Sequence, residues 1–128
     1  MVIDTSAIVA ILRSEPEAAR LERALASDPV RPVPATCVLE ARMALVSRRG
    51  EHPLAEIDLW LREIETDIIA VDSELVDLAT QGWLTYGKGH HPAALNFADC
   101  LSYALAKRAD EPLLFIGKDF SQTDIEPA

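Results

Sequence analysis

An α/β fold around a mostly parallel sheet is predicted for this 128-residue chain by three observations. Short apolar or β-branched runs alternate with longer segments of helical periodicity, the pattern of β-α units. Nearly half of the residues are apolar, enough for one core, and the length fits a single domain over 1–128. Turn residues separate the segments, with no repeat, low-complexity tract or long linker between them.

The elements follow in order. Residues 2–4 (VID) read as a short strand ending on an acid. Ser6 precedes an apolar run and is expected to cap a helix reaching Leu12, which leaves the Asp4 carboxylate free. Residues 15–26 (EPEAARLERALA) form a second helix with Pro16 in its first turn. Pro29, Pro32 and Pro34 mark an extended stretch in which Val30 and Val33 could form a small strand. Thr36 is expected to cap a helix running to Arg49, with Gly50 as its stop.

Residues 52–65 (HPLAEIDLWLREIE) carry Leu54, Ile57, Leu61 and Ile64 at helical spacing. Residues 68–71 form a β-branched strand, and Ser73 opens a helix reaching Trp83 or Tyr86. Gly87, Gly89 and Pro92 mark a loop that also holds Lys88, His90 and His91. Residues 96–108 form a helix, 113–116 a buried strand, and 117–128 a short tail.

The bulk numbers exclude some classes. A net charge of −9 argues against a protein that coats nucleic-acid phosphates through a basic face. It leaves room for a nuclease whose acids hold a cation, because the cation reverses the local sign. No run approaches the ~20 apolar residues needed to span a bilayer. Cys37 and Cys100 read as two reduced, buried thiols. A soluble cytoplasmic chain without membrane contact is expected. Trp60 and Trp83 read as core or interface packing, and adjacent histidines without a cysteine pair do not suit zinc.

Most of the acids lie on solvated helix faces, but four sit against apolar sequence. Asp4 ends the first strand, where open α/β sheets bind ligands. Read alone, it is as well explained as a helix cap. Glu40 lies in ATCVLEARMALV, flanked at helical spacing by Cys37 and Ala44 rather than by basic partners. A carboxylate on such a face needs a proton, a base or a metal. Asp99 lies in LNFADCLSYALAKR. With Asn96 as the cap it falls at the third helical position, where it can bond back to the cap. Asp119 follows LLFIG in a turn, and Asp124 is a weaker candidate of the same kind.

Two strand-end acids and two acids near helix N-termini could meet at one edge of the sheet. Gathered carboxylates repel one another unless a cation is present. Hard oxygen ligands of this kind suit Mg²⁺ or Mn²⁺.

Three stretches, MVIDTSAIVAIL, ATCVLEA and HHPAALNFADCLSYALAKRADEPLLFIGKDFSQTDI, together resemble the PIN-domain ribonucleases of the VapC toxin type. The resemblance spans essentially the whole chain. It implies a PIN-like parallel sheet of about four or five strands sandwiched by helices. It also implies an endoribonuclease whose acidic pocket takes Mg²⁺ or Mn²⁺ for attack of metal-activated water on an RNA phosphodiester. On the matching motifs Asp4, Glu40, Asp99 and Asp119 would be catalytic, with Asp4 and Asp99 as the direct metal ligands. Thr5 and Ser6 would hold Asp4 and the scissile phosphate, and Thr123 would support the pocket from the tail. The resemblance further implies a homodimer silenced by a cognate VapB-type antitoxin. Two other readings stand beside it. One is a phospho-acceptor module using Asp4, Asp72 and Lys118; the other is a PIN-like domain that binds without cutting.

Overall fold

The computed structural model describes residues 1–49 and 53–128. β1 (Val2–Ile3) and β4 (Leu113–Leu114) pair in parallel, Val2 beside Leu113 and Ile3 beside Leu114. All four residues are fully buried, as a parallel pair covered on both faces requires. β2 (Pro32–Pro34) and β3 (Asp67–Ile69) form a second parallel pair, and β1 packs beside β2. The end of the chain lies along the other side of β4. There Leu113 N–H donates to Glu126 O and Ala128 N–H donates to Leu113 O, both at 2.9 Å.

The α/β architecture is as predicted, but the strands are shorter. The first strand stops at Ile3 and the last at Leu114, and Val30 lies outside β2. Pro32 and Pro34 supply no N–H, so β2 cannot extend its ladder on those residues.

Six helices surround these strands among the described residues: α1 (Thr5–Leu12), α2 (Ala18–Ser27), α3 (Ala35–Arg49), α4 (Pro53–Glu63), α5 (Ser73–Tyr86) and α6 (Phe97–Ala109). α2 starts three residues later than the sequence suggests, and Pro16 precedes it. Thr36 falls inside the first turn of α3 rather than before it. The expected stop at Gly50 and start at His52 lie outside the described residues. No helix among the described residues is long and apolar enough to cross a membrane.

Side chains alternate between the faces of a strand, and the two cores follow that alternation. Ile3 and Leu114 join Ile8, Leu21, Val33 and Ile57 on one side. Val2 and Leu113 join Leu75, Leu95, Leu101 and Ala104 on the other. α6 is buried over nearly its whole length, from Cys100 to Ala106. It is therefore the central helix, and polar groups on it require partners inside the protein.

α5 and α6 approach closely at Gly82. A Cβ there would lie 2.5 Å from Tyr103 Cδ1. The Tyr103 ring is held in place by its hydroxyl bond to Asp124 and by packing against Tyr86. Overpacking of this kind costs about 1–3 kcal/mol, and the helix-propensity gain of alanine returns only about 1 kcal/mol. Gly82→Ala is expected to lower the denaturant midpoint with an unchanged m-value.

Candidate active site

Asp4 leaves β1 directly, and its N–H still donates to Leu114 O at 3.0 Å. It is the N-cap of α1, with its side chain accepting from Ser6 N. The expectation that Ser6 would be the cap, sparing Asp4, is therefore corrected. The strand ends one residue earlier than expected, so the helix begins at Thr5 and the cap position falls on the acid. The Ser6 hydroxyl has another task. It donates to Asp4 Oδ2 at 2.6 Å and accepts from Ile116 N at 3.0 Å. One serine thus joins Asp4 to the segment that follows β4.

Asp4 is 96% removed from solvent, since only 4% of its surface is exposed. Its Oδ2 accepts from Ser6 N at 2.9 Å as well as from the Ser6 hydroxyl. Its Oδ1 accepts from Ser102 Oγ at 2.6 Å. A carboxylate offers about four acceptor positions. Among the described residues three are filled, and the remaining one is on Oδ1.

Asp99 sits in the first turn of α6 in a complete capping box. Asn96 Oδ1 accepts from Ala98 N and Asp99 N, and Asp99 Oδ2 accepts from Asn96 N at 2.8 Å. Asp99 Oδ1 accepts nothing from the described residues. Burial pushes the Asp99 carboxyl up to about 6, against the bond from Asn96. The negative charges of Asp4, Asp119 and Glu40 push it in the same direction. Asp4, Glu40 and Asp119, borne by the end of β1, by α3 and by the turn after β4, therefore all lie within electrostatic reach of Asp99 on α6.

Glu40 is half-buried in the second turn of α3. It lines a groove of about 390 Å³ with Thr36, Leu39, Met43 and Phe97. Its neighbour Arg42 is turned away to pair with Asp58. Asp119 is exposed and opens a 3₁₀ turn, Asp119–Gln122. Gly117, at φ 106°, reverses the chain ahead of it, a conformation that favours glycine.

Other candidates fall elsewhere. Asp124 accepts from Tyr103 Oη and Lys107 Nζ, each at 3.0 Å, so it ties the tail to α6. Thr123 bonds within that tail, donating to Phe120 O and accepting from Ile125 N. Asp72 caps α5 and is paired with Arg108 in the last turn of α6, the opposite end from Asp99. His91 Nδ1 accepts from Ala93 N, and His90 packs edge-on against Trp83.

Among the described residues the Thr5 hydroxyl is buried without a hydrogen-bond partner, and Thr5 lies beside Cys37. Two residues were not marked as functional by their sequence context. Ser102 is fully buried on α6 and bonds Asp4, and Cys37 on α3 lies 3.2 Å from the Ser102 hydroxyl. Burial, and then the Asp4 charge, push the Cys37 thiol up to about 11, so it keeps its hydrogen. The one available signal was a lone serine three residues beyond Asp99 in an otherwise small and apolar run.

The donor set fits a hard divalent cation. It offers carboxylate oxygens only, and Asp4 and Asp99 each keep an acceptor position open. Among the described residues no three acid, histidine or cysteine side chains close into a ready cage. Mg²⁺ typically binds through one or two carboxylates and keeps several waters, so the arrangement is compatible with it.

With a parallel α/β core and acids placed beyond the ends of β1 and β4, the chain belongs to the PIN-domain family. The family model for the PIN domain matches residues 1–126. The chain is 50% identical over 125 residues to "Ribonuclease VapC" of Mycolicibacterium smegmatis, covering 98% of this chain and 97% of that protein. It is 47% identical over 125 residues to "Ribonuclease VapC30" of Mycobacterium tuberculosis, covering 98% and 95%. Among solved structures, the fold is similar to that of the Mycobacterium tuberculosis Sarcin-Ricin loop cleaving toxin VapC20. The TM-score is 0.81 at 17% identity, covering 99% of this chain and 97% of that one. A toxin–antitoxin complex from Klebsiella pneumoniae has a similar chain at a TM-score of 0.73 and 16% identity, covering 96% and 92%.

Proposed function

We propose that this chain is a single-domain, Mg²⁺- or Mn²⁺-dependent endoribonuclease, residues 1–128, and the toxin of a VapBC-type pair. The observation that carries the reading is the pair of acids Asp4 and Asp99, each held by local hydrogen bonds that leave one oxygen open, with the charges of Asp4, Glu40 and Asp119 all bearing on Asp99. Kinship at 47–50% identity with proteins named ribonucleases supports it.

Asp4 and Asp99 are the direct ligands of the cation, each through an oxygen left open by the bonds described above. A divalent cation bound there supplies charge neutralisation at the phosphodiester and activation of water. Glu40 and Asp119 flank the two ligands and orient the attacking water or complete the cation's surroundings. Ser6 commits its only hydroxyl hydrogen to Asp4 and so holds that ligand in place. The Thr5 hydroxyl, buried beside Cys37, lies on the inner side of the turn that bears Asp4.

The half-buried Glu40 groove carries exposed apolar rims at Leu39, Met43 and Phe97. Such surface suits a partner chain: a cognate VapB-type antitoxin, a second copy in a homodimer, or both. Two buried, unpaired thiols suit the reducing cytoplasm. The pairing of Asp72 with Arg108, remote from Asp4, speaks against a phospho-acceptor module.

The test uses the purified chain and total RNA from a bacterial host. Cleavage is expected with Mn²⁺ or Mg²⁺, leaving 5′-phosphate ends, and none is expected in EDTA. Cleavage that is undiminished by EDTA, or no cleavage with either ion, overturns the reading.

A further inference from the structure

We propose that Ser102, backed by Cys37, is a positioning residue that fixes the Asp4 carboxylate and sets the spacing of the acids; this rests on the nuclease reading above. The Ser102 hydroxyl has one hydrogen, and that hydrogen goes to Asp4 Oδ1 at 2.6 Å. Its 3.2 Å contact with Cys37 Sγ must then run the other way, with the thiol donating to Ser102 Oγ. The result is a directed chain, Cys37 S–H to Ser102 O–H to Asp4 Oδ1. Cys37 and Ser102 are fully buried. Water cannot substitute for either donor.

The chain joins the three elements that carry Asp4, Glu40 and Asp99. Cys37 lies three residues before Glu40 on α3, and Ser102 lies three residues after Asp99 on α6. Residues three apart share one helix face. The thiol and hydroxyl thus form a layer one turn beneath the acids, and their contact sets how far apart α3 and α6 hold Glu40 and Asp99. Ser6 fills the Oδ2 side of Asp4, and Ser102 fills all but one position of Oδ1. Without Ser102, Oδ1 gains a second open position and loses the contact that fixes the carboxylate's rotation.

Partners that orient metal ligands typically control affinity or activity by about 10–100-fold. Mn²⁺ binding, read by the electron paramagnetic resonance of free Mn²⁺, is measured beside RNA cleavage for Ser102→Ala, Cys37→Ala, Cys37→Ser and Asp4→Asn. Ser102→Ala is expected to weaken Mn²⁺ about tenfold or more and to lower kcat while the KM for RNA is unchanged. Cys37→Ala should weaken Mn²⁺ in the same direction, and Cys37→Ser, which keeps a donor, should restore it to within about threefold of the parent. The double variant Ser102→Ala/Cys37→Ala should be no worse than Ser102→Ala alone, because the two act as one chain. If Ser102→Ala does not fold, the Cys37 pair carries the same test. Mn²⁺ affinity within twofold of the parent in both alanine variants overturns the proposal. If Asp4→Asn also leaves Mn²⁺ binding and cleavage intact, the nuclease reading fails with it. If only Asp4→Asn destroys them, the positioning role alone is wrong.

Discussion

Asp4→Asn leaves a folded protein that no longer cuts RNA. The two halves of that result follow from the three bonds at the carboxylate. Ser6 N–H can only donate, so the asparagine must turn its oxygen toward Ser6 and its amide nitrogen toward Ser102. The Ser102 hydroxyl can reverse, accept from the new amide and donate to Cys37. The asparagine oxygen, the Ser6 donors and the Ser102 hydroxyl keep partners and the α1 cap is retained, while one amide hydrogen and the Cys37 thiol hydrogen lose an acceptor, so the loss in stability should stay within about 1–3 kcal/mol. The position that changes character is Oδ1, the one with an open acceptor site. It becomes an NH₂ group, which offers a cation hydrogens in place of a lone pair. Loss of a group on which the chemistry depends costs about 10³-fold or more. The checks are 5′-phosphate ends mapped after brief induction in cells, and growth on expression. Cleavage within tenfold of the parent, with the variant folded, would sink the assignment of Asp4.

How much of this was readable beforehand differs from residue to residue. The helices were, because their apolar spacing repeats over several turns: Ile57 and Leu61 are buried as their period requires, although Leu54 at the start of the same run is exposed. The Asn96–Asp99 capping box was readable because both members lie within four residues and their geometry is local. The strands were harder. Two-residue strands such as β1 and β4 draw their order from each other across more than a hundred residues, and prolines cut β2 short. The α1 cap was misassigned for the same reason. Asp4 and Ser6 are both good caps, and only the pairing of Asp4 N–H with Leu114 O decides where the strand releases the chain. Ser102 was invisible for a different reason. Serine in LSYALA reads as small-residue packing, and its partners stand 98 and 65 positions away in the chain. The acids could be gathered from sequence because each was out of place in its surroundings. The hydroxyl and thiol that hold them were not out of place.

Asp99→Asn should stabilise the protein without metal while removing its response to metal. Asparagine can still accept from Asn96 N, so the capping box survives the change. What disappears is a charge that burial and then Asp4, Asp119 and Glu40 all oppose, lifting the parent carboxyl to about 6. Its folded-state value lies above the ordinary 3.8, so folding takes up a proton between those two limits. The stability from this group is then fully present below about 3.8 and is lost as the pH rises through about 6. At pH 7.5 in EDTA the parent bears the whole penalty and the variant none. The variant should melt about 2–4 °C higher, a modest figure because solvent screens a half-buried group. The difference should close as the pH falls toward 4, where the parent carboxyl is itself neutral. Saturating Mn²⁺ should invert the order at pH 7.5. A ligand that binds only the folded parent at a hundred times its Kd adds about 2.7 kcal/mol, and the variant, lacking one of two ligands, gains little. A variant less stable than the parent in EDTA at pH 7.5, or one raised equally by Mn²⁺, would mean that Asp99 serves the helix cap and not the cation. The inversion separates these roles because a capping acid contributes with or without metal, whereas a ligand in a crowded acid cluster lowers stability until the cation arrives.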